Sequence, residues 1–169
     1  GLDMVRSIPD EEALTLHGAP GGAAFEVTPS LDSALRYFLM ATAARLHREQ
    51  KIDFSTMMIH TTQRVVGHDV VRQVVAAHGA ALSGRIFARD AAFTAELRSQ
   101  WESELTGVTS ADAGANHSAV TFDDLMSRLP DVMKRTEFIV DNYISPARLD
   151  FSQTGRILVV TGGNTLARG

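Results

Sequence analysis

The 169-residue chain contains no cysteine. That excludes disulfides, thiolate metal sites and a cysteine nucleophile together, and it suits a reducing cytoplasm. No apolar run approaches the roughly 18–20 residues a membrane-spanning helix needs. The N-terminus lacks a basic segment leading into an apolar one, so no secretory signal is read there. The Asn116-His117-Ser118 sequon is therefore expected to be a solvated loop. Positive charge is not in excess. With a formal net charge of −4, any contact with nucleic acid must come from a local patch or from another part of the protein. Catalytic signatures are also missing: there is no G-x-x-x-x-G-K-[ST] phosphate loop, no G-x-G-x-x-G and no G-x-S-x-G. His17, His47, His60, His68, His78 and His117 are scattered, with no carboxylate-rich histidine motif to make a metal site.

What is present is a globular composition, 44% hydrophobic, long enough for one domain with a real core. Leu14 to Leu16 and Ala23 to Val27 are short strand-like runs around a Gly/Pro-rich loop, and they predict a small hairpin in residues 1–28. Pro29-Ser30 opens a helix whose Leu31, Leu35, Phe38, Leu39 and Leu46 recur at helical spacing to about Gln50. Its cationic end, Arg45 to Lys51, complements the helix dipole. Ser55 to Thr61 reads as a buried strand, followed by Gly67-His68-Asp69 as the approach to a helix from Val70 to about Leu82. His68 beside Asp69 is read there as a capping arrangement.

A further helix is expected from Ala88 to Thr106, with Phe93, Leu97, Trp101 and Leu105 as a core stripe, then a polar loop from Thr109 to Ala119. Thr121-Phe-Asp-Asp124 has the spacing of an N-cap with an acid three residues on. Pro130 either starts a second short helix or kinks this one. Glu137 to Asn142 is another strand, Ser145 to Gly155 a loop, and Ile157 to Val160 a strand apolar throughout, ending in the turn Thr161-Gly162-Gly163-Asn164. Strands alternating with helices predict an α/β fold with a mostly parallel sheet flanked by helices.

In such sheets ligands bind beyond the carboxyl ends of the strands. That rule collects His60-Thr61-Thr62, Asp141-Asn142 and Thr161-Gly162-Gly163-Asn164, all polar directly after apolar runs. The glycines would let backbone N–H groups face a phosphate, and Arg168 could add a bidentate charge. The same segments are equally readable as ordinary strand-end turns. The acid-x-lysine triplet Glu49-Gln50-Lys51 has nuclease spacing but falls at a helix end rather than on a strand. A metal-dependent nuclease would need converging carboxylates, and Asp141, Asp150 and Glu137 are the nearest supply.

Ser55-Thr-Met-Met-Ile-His-Thr-Thr62 followed by His68, the Pro29-Ser30-Leu31 helix start, and above all Val160-Thr-Gly-Gly-Asn-Thr-Leu-Ala-Arg-Gly169 resemble the Z1 domain over most of the chain, from about Val5 to Gly169. Ile157-Leu-Val-Val-Thr161 with Ala167-Arg168-Gly169 is also similar to a strand and Thr…Ala-Arg-Gly segment in the second RecA-like domain of superfamily 2 helicases. Thr161 and Arg168 stand further apart here than in that segment.

The resemblance implies a RecA2-like, P-loop-type domain fragment over residues 29–169, with a helical insertion and an expected truncation at its C-terminus. It implies a helicase-like, ATPase-associated protein of restriction-modification or phage defence. The phosphate-binding residues would be Thr161, Gly162, Gly163, Asn164 and Arg168, with Thr61 and Thr62 in support. DNA and an ATP-binding domain of the same protein would be the partners. ATP and Mg²⁺ would belong to the parent protein, with none bound by this chain alone. No catalytic residue and no metal ligand is assigned, and the isolated chain is expected not to turn over ATP. The alternatives are a metal-dependent endonuclease, a label many Z1 proteins carry, and a non-catalytic interaction module.

Overall fold

The computed structural model describes residues 7–12, 25–60, 65–107, 119–141 and 154–162. Among the described residues seven elements longer than one turn follow in order: α1 (Pro29–Glu49), β1 (Phe54–His60), α2 (Val65–Phe87), α3 (Ala91–Gly107), α4 (Phe122–Arg135), β2 (Thr136–Asp141) and β3 (Arg156–Gly162). The three strands form one sheet in the order β1-β3-β2, and both pairings are parallel. Parallel neighbours require crossovers, and α2, α3 and α4 lie between β1 and β2 in the chain. The expected α/β class with a parallel sheet flanked by helices is what the molecule adopts.

Local chemistry sets the ends of α1. The Thr28 side chain accepts a hydrogen bond from the Leu31 N–H at 3.3 Å, Pro29 occupies the first turn, and Glu12 accepts the Ser30 N–H at 2.9 Å. Those contacts satisfy donors that a helix start otherwise leaves open. The Ser30 N–H also holds the Glu12 carboxyl below its ordinary range. At the other end Gln50 turns left-handed (φ 58°), and its N–H closes on the Leu46 carbonyl at 3.0 Å.

Helix α2 begins at Val65, five residues before the expected start. Gly67 and His68 are therefore inside the helix, and His68 is a buried first-turn residue rather than a cap ahead of it. Arg89 (φ 53°) breaks the chain after α2, and Asp90 caps α3 by accepting the Phe93 N–H at 3.0 Å. Of the expected stripe on α3, Phe93, Leu97 and Trp101 are buried, whereas Leu105 is 45% exposed near the helix end. Helix α4 carries the full capping box: Thr121 Oγ1 accepts the Asp124 N–H, and Asp124 accepts the Thr121 N–H at 3.0 Å. Pro130 lies inside α4, which runs on as one helix to Arg135. The proline removes only one backbone donor, and Leu129 and Val132 on either side are buried and hold the helix in place.

Phe25, Val27 and Thr28 lead irregularly into α1, so the second expected hairpin strand is not regular where it is described. Leu14 to Leu16 and most of the Thr109–Ala119 loop lie outside the described residues.

Strand register sorts the sheet into two faces, because side chains alternate along each strand. Met57, Ile59, Phe138, Ile157 and Val159 share one face and join the helical core of Leu35, Leu39, Met40, Leu97, Leu125 and Leu129. Leu158 and Val160 lie on the other face and are equally buried, so β3 is enclosed on both sides as its apolar run implied. A network of charges ties the helices above. His78 Nε2 lies 2.6 Å from Asp32, Arg36 bridges Asp32 and Glu96, and Arg85 joins Asp90 and Glu96.

Candidate functional site

Because all three strands run the same way, their carboxyl ends finish along one edge. His60, Gly162 and Asp141 are cross-strand partners there: His60 pairs with Gly162 from one side and Asp141 from the other. Neighbouring strands stand about 4.8 Å apart, so the two side chains flank a glycine that contributes none. The sequence segments that were expected to converge at the strand ends are, where described, brought together.

Thr161 and Gly162 were expected in a turn. They are instead the last two residues of β3, paired with Ile59 and His60 on one side and Val140 and Asp141 on the other. Thr161 is 1% exposed on the helix-covered face. A hydroxyl so enclosed is a poor direct contact for a soluble anion, and Gly162 brings the backbone to the edge without a side chain. Gly163, Asn164, Arg168, Thr61 and Thr62 lie outside the described residues.

Two features of this edge differ in electrostatic sign. Helix α2 starts shortly after β1 and has no acidic residue in its first turn, so the partial positive charge of its N-terminus is not offset there. Asp141 supplies the opposite sign. It is 7% exposed, and its Oδ1 is buried with no hydrogen-bond partner among the described residues. His60, by contrast, is exposed. The sequence marked Asp141 as a strand-end polar residue. No local sequence pattern marks its burial.

The carboxylates offered for a nuclease do not converge. Glu137 lies near the start of β2 and is held bidentately by Arg156, with Nε and Nη2 at 3.1 and 2.9 Å from its two oxygens. Arg156 keeps its carboxyl below the ordinary value. Asp141 is at the other end of the same strand, four residues or about 13 Å away at 3.3 Å per residue. Asp150 is outside the described residues. Among the described residues no group of three or more His, Asp or Glu side chains is placed to hold a metal. Glu49 ends α1 and Gln50 turns away from it, so the acid-x-lysine triplet sits at a helix end as expected. No described helix is long and apolar enough to cross a membrane.

Compared with known proteins, residues 30–169 match the family model described as the Z1 domain. No curated protein and no solved structure matches the chain.

Proposed function

This chain belongs to the Z1 domain family, and from that premise we propose that it engages nucleic-acid phosphates at the carboxyl edge of its sheet. In this reading it is the RecA2-like half of a helicase-like ATPase that processes DNA in restriction or phage defence. The observation that carries the reading is the parallel sheet whose strand ends, His60, Gly162 and Asp141, meet in register immediately before a second glycine. Ligands of open α/β sheets bind at such an edge. Successive backbone N–H groups after β3 would cradle the phosphate, Gly163 and Asn164 would let the backbone approach it, and Arg168 would clamp it through a planar fork. Thr61 and Thr62, after β1, would contact the same backbone, and Thr161 would support the turn from within.

The lysine that grips nucleotide phosphates and the acid that holds Mg²⁺ in such machines belong to a partner domain in this scheme. The chain by itself therefore binds DNA weakly and does not turn over ATP. With a net charge of −4 the contact is local, so its salt dependence is shallow: each phosphate neutralised steepens it by about 0.9 in the log–log slope.

The test is fluorescence anisotropy of labelled single-stranded and duplex oligonucleotides with the chain and its Arg168→Ala variant across a salt series. It is accompanied by DNA-stimulated ATP hydrolysis in the full-length protein. The reading expects weaker binding and lost stimulation in the variant. Equal binding by both proteins, with no stimulated hydrolysis, would favour a scaffold that positions protein partners.

A further inference from the structure

The two outer strands of the sheet differ in what they offer another chain. Strand β2 carries Glu137 and Asp141, so a copy of it laid antiparallel about Ile139 would set acid against acid. Strand β1, on the opposite side, has only β3 as a ladder partner among the described residues. Over its seven residues it holds no acidic residue, no lysine or arginine and no proline, and its register with β3 runs without a bulge. Charges, prolines and bulges are the devices by which edge strands avoid pairing with another chain, and β1 has none of them. Met58, in the middle of β1 on the face away from the helical core, is 50% exposed.

Hydrogen bonds fix which backbone groups β1 turns outward. The Asp53 carbonyl, just ahead of the strand, faces β3 and accepts the Gly155 N–H at 2.6 Å. The next carbonyl, that of Phe54, is taken instead by Arg45 Nη1 of α1 at 2.8 Å. Successive residues of a strand point their backbone groups to opposite sides. Ser55, Met57 and Ile59 therefore bond β3, while Thr56, Met58 and His60 present N–H and C=O at the outer edge.

Two-fold symmetry about Met57 matches this edge to itself. Thr56 of one copy stands opposite Met58 of the other, and the two exchange both backbone hydrogen bonds. No charge meets a like charge in this register, and the Met58 side chain comes to lie about 5 Å from that of Thr56. The pairing is closed, because each copy uses up the same edge. The three-stranded sheet becomes one of six strands, against about five or six in an average globular sheet.

We propose that β1 is a self-association edge, against which a second copy of the chain pairs its own β1 antiparallel, centred on Met57. The proposal is independent of phosphate binding, which uses the carboxyl ends of the strands.

The experiment is sedimentation velocity over a wide concentration series. Wild type is expected to pass from one chain mass to twice that mass as concentration rises. Met58→Lys, which sets a charge in the edge, should stay at one chain mass with an unchanged circular dichroism spectrum. The chain has no native cysteine, so Met57→Cys supplies a single thiol on the symmetry axis. Cα atoms of a non-hydrogen-bonded antiparallel pair stand about 4.5 Å apart, within disulfide reach. Under mild oxidation Met57→Cys should form covalent dimers faster than Leu105→Cys, an exposed position on α3. A single chain mass at every concentration, growth beyond the dimer, a dimer that Met58→Lys leaves intact, or equal cross-linking rates overturns the proposal. If Met58→Lys does not fold, the cross-link decides: a faster rate from Met57→Cys supports the edge, and equal rates overturn it.

Discussion

The ring of Phe138 on β2 points directly at Gly79 in the middle of α2, where a Cβ would overlap its tip. The missing side chain lets α2 lie close against the sheet. Sequence periodicity gives no reason for a glycine within that helix; the cross-layer contact does.

Substitution at Gly79 tests that contact. Alanine ordinarily gains about 1 kcal/mol over glycine in a helix interior. Here Gly79→Leu is expected to destabilise the fold by about 1–3 kcal/mol through overpacking. Gly79→Ala combined with Phe138→Leu should recover part of the helical gain. Chemical denaturation of the single and double variants measures both, and simple additivity between the two positions would contradict the contact.

Helix α3 offers a paired comparison. Leu97→Ala opens a hole in the core and should cost about 2–5 kcal/mol. Leu105→Ala, at a position 45% exposed, should change stability by about 0.5 kcal/mol or less. Urea midpoints of the two variants distinguish them, and equal losses would put Leu105 back in the core.

The capping box of α4 predicts a loss of about 1 kcal/mol for Thr121→Ala, because the Asp124 N–H then has no side-chain acceptor. Thr121→Ser should stay close to wild type. Thermal melts of the two proteins separate the hydroxyl from the methyl group.

Acid dependence follows from carboxylates whose pKa is lowered in the fold. Glu137 is held below its ordinary 4.5 by Arg156. Asp124 is lowered by the Thr121 hydroxyl and N–H, and Asp90 by the Phe93 N–H and then Arg85. A group depressed in the folded state contributes its stability above its unfolded pKa and loses it as pH falls through the folded value. The melting temperature should therefore hold from neutrality to about pH 5 and fall below it. Glu137→Gln should melt lower than wild type at neutral pH, and the gap should close in acid. A gap that stays constant to pH 3 would show that the Arg156 pair contributes nothing to the acid limb.

Much of the fold was legible because its signals are local. The Pro29-Ser30 start of α1 and the Thr121–Asp124 box of α4 are read from local residue types, although the Thr28 cap of α1 emerged only in the structure. The apolar run Ile157 to Val160 announces a strand enclosed on both faces. Boundaries failed where a local cue competed with tertiary packing. Gly67 looked like punctuation before α2, and Pro130 like a break in α4, yet buried residues around them carry both helices through. Thr161-Gly162 looked like a turn, but pairing with strands on both sides extends β3 through it.

The sequence by itself determined the α/β class, the parallel sheet, family membership and the polar segments that follow each strand, because those depend on composition and short-range pattern. Only the tertiary structure decided that β3 lies between β1 and β2, that His60, Gly162 and Asp141 therefore share one edge, that Thr161 is enclosed, and that Glu137 and Asp141 stand apart. Strand order depends on pairings between residues from 21 to about a hundred positions apart, which no local spacing encodes.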